Sequence, residues 1–589
     1  MEETGLGFIR SGDLITLTLY LLVTLGLGLW MGVRTKSTEG YFLGNRKMPS
    51  WAVGISMLGT SISSVTFLAY PGSAYDGNYS RIVPGVAYPI GAFIAIFLFV
   101  PFYRQTGYVS AYTYFERRFG LWARVYVCVL FSIAQLYRMG LILYLLSMAI
   151  TSMHPELNLQ AVILTIGVFV TVYTVLGGIE AVIWTDVFQT LVLILGGLAV
   201  IAVVFLHVDG GAGTVLSMGM VDNKFSLVGH EATSAFDFSL SRDTLVMLIL
   251  CGVIGSTLEF ALDQKNVQRY CAASTTRGAQ KAVLVDALGC VPMWFLFMFI
   301  GTCLWVFYQI NPGHMHREVL ADEVFPYFIL HELPNGLGGL VIAGVLAAAM
   351  SSIDSSMSGT TTTVTEDIYK RIFFKGRSDS HYLKAAKAIA TASGVCMILV
   401  GLGLSQMRQE AILDVAFVIG AMVAGGVGGL FILGFFTIRG NNLGALMGVI
   451  LSTMATFGMT YIEAKAMTWE SNAAWMVQGA MEDGTVDLDT LKAEIRAETE
   501  ARGEKPKLAD LEKAQKERVH KMLTPSIESE LGPQPPHLGD AIGFHPFLMG
   551  VITNFLALLF GYFFSFLFRP KPLVEIGGLT WWTRHMERL

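Results

Sequence analysis

Stretches of about twenty mostly apolar residues recur along almost the whole chain, and each is long enough to cross a bilayer as a helix. We predict thirteen such spans, at approximately 14–33, 51–71, 82–103, 122–151, 159–176, 180–206, 244–262, 282–308, 337–365, 385–405, 412–437, 442–462 and 546–568. The composition agrees, because 53% of the 589 residues are hydrophobic and only 14% are charged, against about 25% charged in an average soluble domain. The sequence therefore predicts an all-α polytopic membrane protein.

Positive charges are concentrated in one set of alternating loops between these spans. This set contains Arg34, Lys36, Arg46, Lys47, Arg104, Arg117, Arg118, Lys265, Arg269, Arg277, Lys281, Lys370, Arg371, Lys375, Arg377, Arg439, Arg569 and Lys571. Because short loops rich in lysine and arginine stay in the cytoplasm, we predict that the N-terminus lies outside and the C-terminus inside the cell membrane. The net charge of -5 gives no basic excess, so no nucleic-acid partner is expected. The apolar composition makes the lipid bilayer the expected environment.

Residues 463–545 interrupt the membrane pattern, because they are rich in Glu, Lys, Asp and Ala. Counting the spans puts this segment outside the membrane. Its stretch 487–523 mixes charges with helix formers and predicts a solvated helix or helix pair. An insertion without transport chemistry is favoured over a partner-binding module.

Small polar residues cluster around a glycine in the second span, which includes Gly59, Thr60, Ser61, Ser63 and Thr66. Such a segment, without strong helix formers, predicts an unwound helix centre whose backbone carbonyls could coordinate a cation. The alternative is a tightly packed helix whose hydroxyls bond back to their own backbone.

The ninth span carries a second hydroxyl cluster. Ala348, Ser351, Ser352 and Ser355 are three or four residues apart and lie around one helical face. Hydroxyl and carbonyl oxygens with little formal charge suit a monovalent cation better than calcium or magnesium. A helix-packing surface is the alternative. Asp354 favours a functional site, because an unpaired carboxylate within a membrane is costly.

Two other spans hold polar residues at membrane depth. Asp186 and Gln189 share a face of the sixth span and could contact an ion, a polar neighbour or an inner gate, with a structural salt bridge as the alternative. Arg138, in the fourth span, would cost roughly 2.5–3.5 kcal/mol there without a partner. A guanidinium pairs well with carboxylates, so that partner could be an acidic side chain or an anionic substrate.

Five motifs in order give the chain a resemblance to the sodium/solute symporter family. They are YFLGNR at 41–46, YFERRFG at 114–120, GGIEAVIWTDVFQ at 177–189, DQKNVQRY at 263–270, and the Ser351-Ser352 cluster leading to EDIY at 366–369. The resemblance implies a LeuT-type fold of two inverted five-helix repeats. It divides the chain into a leading helix and loop (1–50), the two repeats (51–240 and 241–440), a trailing helix (441–462), the charged insertion (463–545) and a last helix with a short cytoplasmic tail (546–589).

The resemblance also implies two cation sites. The family's principal sodium site would use the carbonyls of Gly59, Ile62 and Ala348 with the hydroxyls of Ser351 and Ser352. A second sodium site, which some members have, would involve Asp186, Ser352, Asp354 and Ser355. Asp354 stands where several branches carry a hydroxyl, which leaves a sodium ion, a proton or a structural role open at that position.

The second span resembles the branches that carry anions. Sugar carriers of the family have a Glu-Gln or similar pair where this chain has Val65 and Thr66, which argues against a hexose. In bacterial sialic acid carriers, an Arg in a similar Arg-Met stretch holds the substrate carboxylate, helped by a Ser and a Thr of the broken helix. These would be Arg138, Ser63 and Thr66, with Ser61 as a further candidate; the glutamine expected on the next helix is absent between residues 78 and 103.

We therefore expect a symporter that imports a small organic carboxylate such as sialic acid (N-acetylneuraminate) together with Na+ by alternating access. Sodium-coupled transport of a monocarboxylate, sugar or polyol, a transporter-like sensor, and a channel are the alternatives. A membrane enzyme is not expected, because no nucleophile with a histidine partner lies within the spans.

Overall fold

The computed structural model describes residues 10–584 except 155, 229–236, 241–243, 316–318, 320, 408–425, 483–489, 492, 496, 498–507, 538–540 and 542–547. Within these limits the chain is helical, with one isolated β-bridge between Met48 and Ala273.

The described residues of the first half of the chain form eleven α-helices. They are α1 (Ser11–Arg34), α2 (Thr38–Leu43), α3 (Ser50–Ser61), α4 (Ser64–Asp76), α5 (Val83–Val86), α6 (Tyr88–Phe97), α7 (Phe99–Thr106), α8 (Thr113–Phe119), α9 (Leu121–Met153), α10 (Leu159–His207) and α11 (Gly211–Val221). The second half adds α12 (Leu245–Leu262), α13 (Gln264–Ala272), α14 (Thr276–Ile310), α15 (Ala321–His331), α16 (Leu337–Thr363), α17 (Asp379–Leu404), α18 (Val427–Phe436), α19 (Asn442–Glu482), α20 (Leu508–Leu531) and α21 (Met549–Ser565). A π-helical turn, Val364–Phe373, extends α16.

Many of these helices match the predicted spans. Among the described residues, nine are long and apolar enough to cross a membrane, and α3 with α4, bent by 55°, makes a tenth if the pair counts as one span. The predicted span 412–437 falls largely outside the described residues, which resume there with α18. The last predicted span corresponds to α21, which has only 17 residues.

The predicted fifth and sixth spans form one helix, α10, with a break at Gly178. A straight helix of its 49 residues would be about 74 Å long, more than twice the hydrocarbon core. Gly178 has φ 64° and ψ -167°, and a Cβ there would lie 2.9 Å from the Tyr41 carbonyl oxygen. Glycine is therefore required where the chain turns from one segment to the next.

The predicted twelfth span ends at residue 462, whereas its helix, α19, continues to Glu482. Trp469, Ala473 and Val477, spaced four residues apart, form an apolar stripe that packs against Val519 and Ile527 of α20. The helix continues because this stripe has a packing partner outside the predicted span. The predicted stretch 487–523 is described only in part, and α20 supplies the helix expected there.

Helix α16 lies at the centre of the molecule. In the most apolar 18-residue stretch of α16 and its π-helical extension, 89% of the residues are buried, against 22% in the corresponding stretch of the peripheral α1. It packs against α10, α9, α1, α3 and α4. The polar residues of α16 therefore face other helices rather than lipid.

Candidate functional site

The second predicted span is broken at its centre. α3 ends at Ser61 and α4 begins at Ser64, while Ile62 and Ser63 between them have extended backbones. The Ser63 side chain caps α4 by accepting a hydrogen bond from the Thr66 backbone N–H. The last carbonyls of a helix lack partners within that helix. The prediction of an unwound centre is confirmed.

Two hydroxyls of α16 bind the carbonyls at this break. Ser351 Oγ donates to the Gly59 carbonyl oxygen at 2.9 Å and also lies 3.2 Å from the Ala348 carbonyl oxygen. Ser352 Oγ lies 3.4 Å from the Thr60 carbonyl oxygen. All of these residues are buried. Oxygen atoms from α3 and α16 thus converge at one position, beside the extended Ile62.

Helix α10 approaches the same position closely. A Cβ at Gly59 would lie 2.3 Å from Thr190 Oγ1, a separation that real side chains do not tolerate. Gly59 therefore lets α3 and α10 come together beside the carbonyl that Ser351 binds.

One turn away, a guanidinium fills the space between α3, α10 and α16. Arg269 of α13 is fully buried and donates to Asp186 Oδ2 at 2.8 Å and to Ser355 Oγ at 2.7 Å. It also donates to Thr60 Oγ1 at 2.8 Å and to Ser56 Oγ at 2.9 Å. The salt bridge that the sequence left open for Asp186 is present, with Arg269 as its partner.

Asp354 points away from this network. Its carboxylate accepts hydrogen bonds from Tyr173 at 2.5 Å and from Thr174 at 2.6 Å, both on α10. Asp186 Oδ1 and both amide atoms of Gln189 are buried and make no hydrogen bond of standard geometry in the described part of the chain, although the Tyr20 and Tyr173 hydroxyls lie near the Gln189 amide. The residues predicted for a second sodium site are therefore divided, since Asp186 and Ser355 contact Arg269 while Asp354 contacts Tyr173 and Thr174.

Arg138 lies on α9, which packs against α4 and α16. It is exposed, and no carboxylate of the described residues lies within 4 Å of its guanidinium. Glu259 and Lys265 are close enough to interact with it electrostatically. Within the described residues it makes no hydrogen bond to Ser63 or Thr66, so the structure does not join the predicted substrate residues by direct contacts.

Ser61 contacts two residues that the sequence reasoning missed. Its hydroxyl lies 3.5 Å from the Tyr88 hydroxyl and 3.4 Å from Asp286 Oδ1. Tyr88 also donates to Asp286 Oδ2 at 2.9 Å. The signal for Asp286 was present, because it is an acidic residue within the predicted span 282–308, as Asp354 is within 337–365.

Two of the predicted motifs meet at the predicted cytoplasmic end of the bundle. Arg124 binds Glu116 at 2.6 Å and the buried Asp367 at 2.6 Å, and Arg371 binds Glu116 from the other side. Burial opposes ionisation of Glu116, but the hydrogen bonds from Arg371 and Arg124 outweigh it and lower the pKa of that carboxyl. This ion network ties α8 and α9 to the end of α16.

Comparisons with known proteins show which family and which solved structure the chain resembles. The family model described as sodium:solute symporter family matches residues 41–452. A sodium/sialic acid symporter of Proteus mirabilis (strain HI4320) is 31% identical over 472 residues, which cover 78% of this chain and 91% of that protein. A second one, of Aliivibrio fischeri (strain ATCC 700601 / ES114), is 29% identical over 461 residues, covering 77% and 88%. A solved structure of a Na+-coupled sialic acid symporter, in a substrate-bound outward-open state, superposes with a TM-score of 0.75 and 26% identity, covering 96% of this chain and 99% of that one.

Proposed function

The chain belongs to the sodium:solute symporter family and is a sodium-coupled solute symporter of the membrane, and on this premise we propose that it imports a small carboxylate, with sialic acid (N-acetylneuraminate) as the leading candidate. Two relatives and one solved structure that resemble most of this chain are named as sialic acid symporters. Within the chain, the observation that carries the proposal is Arg138, a cation of a predicted span without a described carboxylate partner. A substrate carboxylate would complete its coordination.

We propose that Ser61, Ser63 and Thr66 bind the rest of the substrate from the broken helix. The break supports this role, because it leaves backbone groups at the ends of α3 and α4 without partners in their own helices, beside α9. Arg138 would then hold the substrate from the opposite side. An arginine with two parallel donors recognises a planar carboxylate better than a lysine would.

The principal sodium site in this proposal consists of the carbonyls of Gly59, Ile62 and Ala348 and the hydroxyls of Ser351 and Ser352. The convergence of Ser351 on Gly59 and Ala348 supports it, because Ser351 Oγ lies 2.9 Å from the Gly59 carbonyl oxygen of α3 and 3.2 Å from the Ala348 carbonyl oxygen of its own helix. Sodium there would join α3 to α16 and stabilise one arrangement of the two repeats.

A second cation, beside Asp186, Ser352, Asp354 and Ser355, is a further part of the proposal. The unbonded Asp186 Oδ1 and the buried Gln189 amide support a polar ligand near Asp354. The Arg269 network limits this site, because it already provides Asp186 and Ser355 with a cation. Because Arg269 already contacts Asp186 and Ser355, binding of a second cation in this proposal depends on the carboxylate of Asp354.

We also propose thirteen membrane crossings with the N-terminus outside, the C-terminus in the cytoplasm of the cell membrane, and repeats at 51–240 and 241–440. Two features support this count. The kink at Gly178 divides one helix, α10, into two crossings, and the bent pair α3 and α4 combines two helices into one crossing. The segment 463–545, which begins within α19 and includes its outer end, is then an external insertion.

The coupling follows from charge and conformation. Sodium binding at the break would favour the state that takes up substrate from outside, and occupancy of both sites would permit the change to the inward-facing state. Each sodium ion that enters contributes about 2.3 kcal/mol for every 100 mV of membrane potential.

The experiment that tests the substrate class is competition for sodium-dependent binding to the purified protein. N-acetylneuraminate, its methyl ester, a short monocarboxylate and a hexose would be compared at equal concentration. We expect N-acetylneuraminate to compete and the ester, which lacks the negative charge, to compete at least tenfold more weakly. Equal competition by acid and ester would overturn the role of Arg138, and competition by the hexose alone would overturn the carboxylate class.

A further inference from the structure

Asp286 is a buried carboxyl that the sodium and substrate sites proposed above do not use. It lies within α14 with no exposed surface. Its contacts are the hydroxyls of Tyr88 and Ser61 and the thiol of Cys290, at 2.9, 3.4 and 3.2 Å. Each of these groups is uncharged and can donate a hydrogen atom.

No positive group balances this carboxyl in the described part of the chain. The titratable groups around it are Tyr88 on α6, Cys290 one turn along α14, Tyr270 on α13 and Glu259 on α12, and none of them is a cation. Arg269 contacts Asp186 instead. An ionised carboxylate enclosed in this way is strongly disfavoured, so a proton or a metal cation must accompany it.

The surroundings favour a proton over sodium. A hard metal cation requires a shell of oxygen ligands, whereas the described contacts provide two hydroxyls and a thiol, which is a soft ligand. A protonated carboxyl needs only one acceptor. The hydroxyls of Ser61 and Tyr88 can donate to the ionised acid or accept from the protonated acid by rotating about their C–O bonds.

The carboxyl is connected to the sodium position through one residue. Ser61 is the last residue of α3, and it stands between Gly59 and Ile62, whose carbonyls are the proposed sodium ligands. A positive charge bound there would favour the ionised form of Asp286. Sodium binding would also move the end of α3, and with it the Ser61 hydroxyl that contacts Asp286.

We propose that Asp286 binds a proton in the sodium-free protein and releases it when sodium binds at the break between α3 and α4. In this step the neutral carboxylic acid loses one proton to water and becomes a carboxylate, and no electrons are transferred. Reciprocity requires that sodium binds more tightly as the pH rises. The inference rests on the proposed sodium site but does not depend on the identity of the substrate.

The test is proton release from the purified protein in weakly buffered detergent when saturating sodium chloride is added, with choline chloride as the ionic control. Wild-type protein is expected to release a proton that a pH indicator detects, and its sodium affinity should rise with pH by no more than tenfold per unit. Asp286→Asn should bind sodium with an affinity that no longer depends on pH, and should release no proton.

Matched variants keep the result interpretable. Cys290→Ala removes a neighbour but retains the carboxyl, and should still release the proton. Tyr88→Phe removes a donor to the carboxylate, so the pH at which sodium affinity changes should move upward. These variants test the assignment even if Asp286→Asn fails to fold.

Two outcomes would overturn the inference. The first is a proton release that persists in Asp286→Asn and disappears in Asp354→Asn, because Asp354 would then be the proton site. The second is the loss of one bound sodium ion from Asp286→Asn without any wild-type proton release, since the carboxylate would then hold a metal cation. The proton measurement contains no substrate, so a protein that does not take up sialic acid would still release the proton when sodium binds. The two proposals can therefore be rejected independently of each other.

Discussion

The Ser351 hydroxyl on α16 donates a 2.9 Å hydrogen bond to the carbonyl oxygen of Gly59, the third residue from the end of α3. This contact joins two helices through residues that are 292 positions apart in the chain. In the proposed sodium site, a sodium ion would replace the serine proton as the partner of that carbonyl.

Replacing the two hydroxyls of this position should weaken sodium binding. In Ser351→Ala with Ser352→Ala, the proposed site loses two of its five oxygens, and we expect the sodium concentration for half-maximal transport to rise about tenfold or more. The measurement is transport rate against sodium concentration at fixed substrate. Ser393→Ala, which removes a buried hydroxyl on α17 that bonds to its own helix, is the control and should match wild type. An unaltered sodium curve in the double variant would remove the serines from the site.

The close contact between Gly59 and Thr190 provides a test of packing at the break. Gly59→Ala places a methyl group 2.3 Å from Thr190 Oγ1, so either this hydroxyl turns away from α3 or the two helices separate and the sodium ligands with them. Overpacking of this kind should reduce sodium-dependent uptake about tenfold or more. Thr190→Ala removes the offending oxygen, and the double variant should recover most of the activity. If the double variant stays as inactive as Gly59→Ala, the contact is not the cause.

The buried pair of Asp186 and Arg269 should matter most for stability. Arg269→Gln leaves Asp186 buried without a cation, a loss that typically costs about 3–5 kcal/mol. We expect a clearly lower melting temperature in detergent than for wild type. Adding Asp186→Asn removes the unpaired charge and should restore part of the loss. A double variant no more stable than the single one would contradict an ion-pair role.

The insertion at 463–545 should respond to pH through His537. Its imidazole lies 3.0 Å from Glu463 and 2.9 Å from Glu470 of α19. Burial disfavours the charged ring, but the hydrogen bonds to Glu470 and Glu463 outweigh it and raise the pKa of His537 above its usual 6.5. A raised pKa in the folded protein means that the contact stabilises below pH 6.5 and is lost as the pH rises through the raised value.

Hydrogen exchange in α20, corrected for the intrinsic rate at each pH, measures this effect. Protection in wild type should decrease as the pH rises above 6.5 and through the raised pKa of His537, and this dependence should be absent in His537→Gln. The same pH dependence in both proteins would show that His537 does not control the attachment of the insertion.

The sequence predicts the family, the break in the second span and the residues on its two sides, because hydroxyls and carboxylates within apolar spans are rare and therefore conspicuous. Ser351, Asp186 and Asp354 were found in this way. Their partners were not, since no rule of spacing connects Asp186 to Arg269 or Asp354 to Tyr173 across more than 80 residues. Contacts of this kind depend on the packing of whole helices.

Two other differences also have physical causes. Helix α19 extends 20 residues beyond the predicted span, because hydropathy detects where an apolar stretch stops, whereas the stripe from Trp469 to Val477 is stabilised by packing against α20. Asp286 was overlooked although it met the criterion applied to Asp354. It has no hydroxyl cluster on its own helix, and its partners Ser61 and Tyr88 come from other spans.

The most direct test of the account is uptake of labelled N-acetylneuraminate into proteoliposomes under an inward sodium gradient and under a matched potassium gradient, with wild type, Arg138→Lys and Arg138→Gln. We predict accumulation above the external concentration with sodium only, partial loss in Arg138→Lys, and complete loss in Arg138→Gln with sodium binding retained. Equal uptake under both gradients, or unchanged accumulation in Arg138→Gln, would contradict sodium-coupled carboxylate transport through this site.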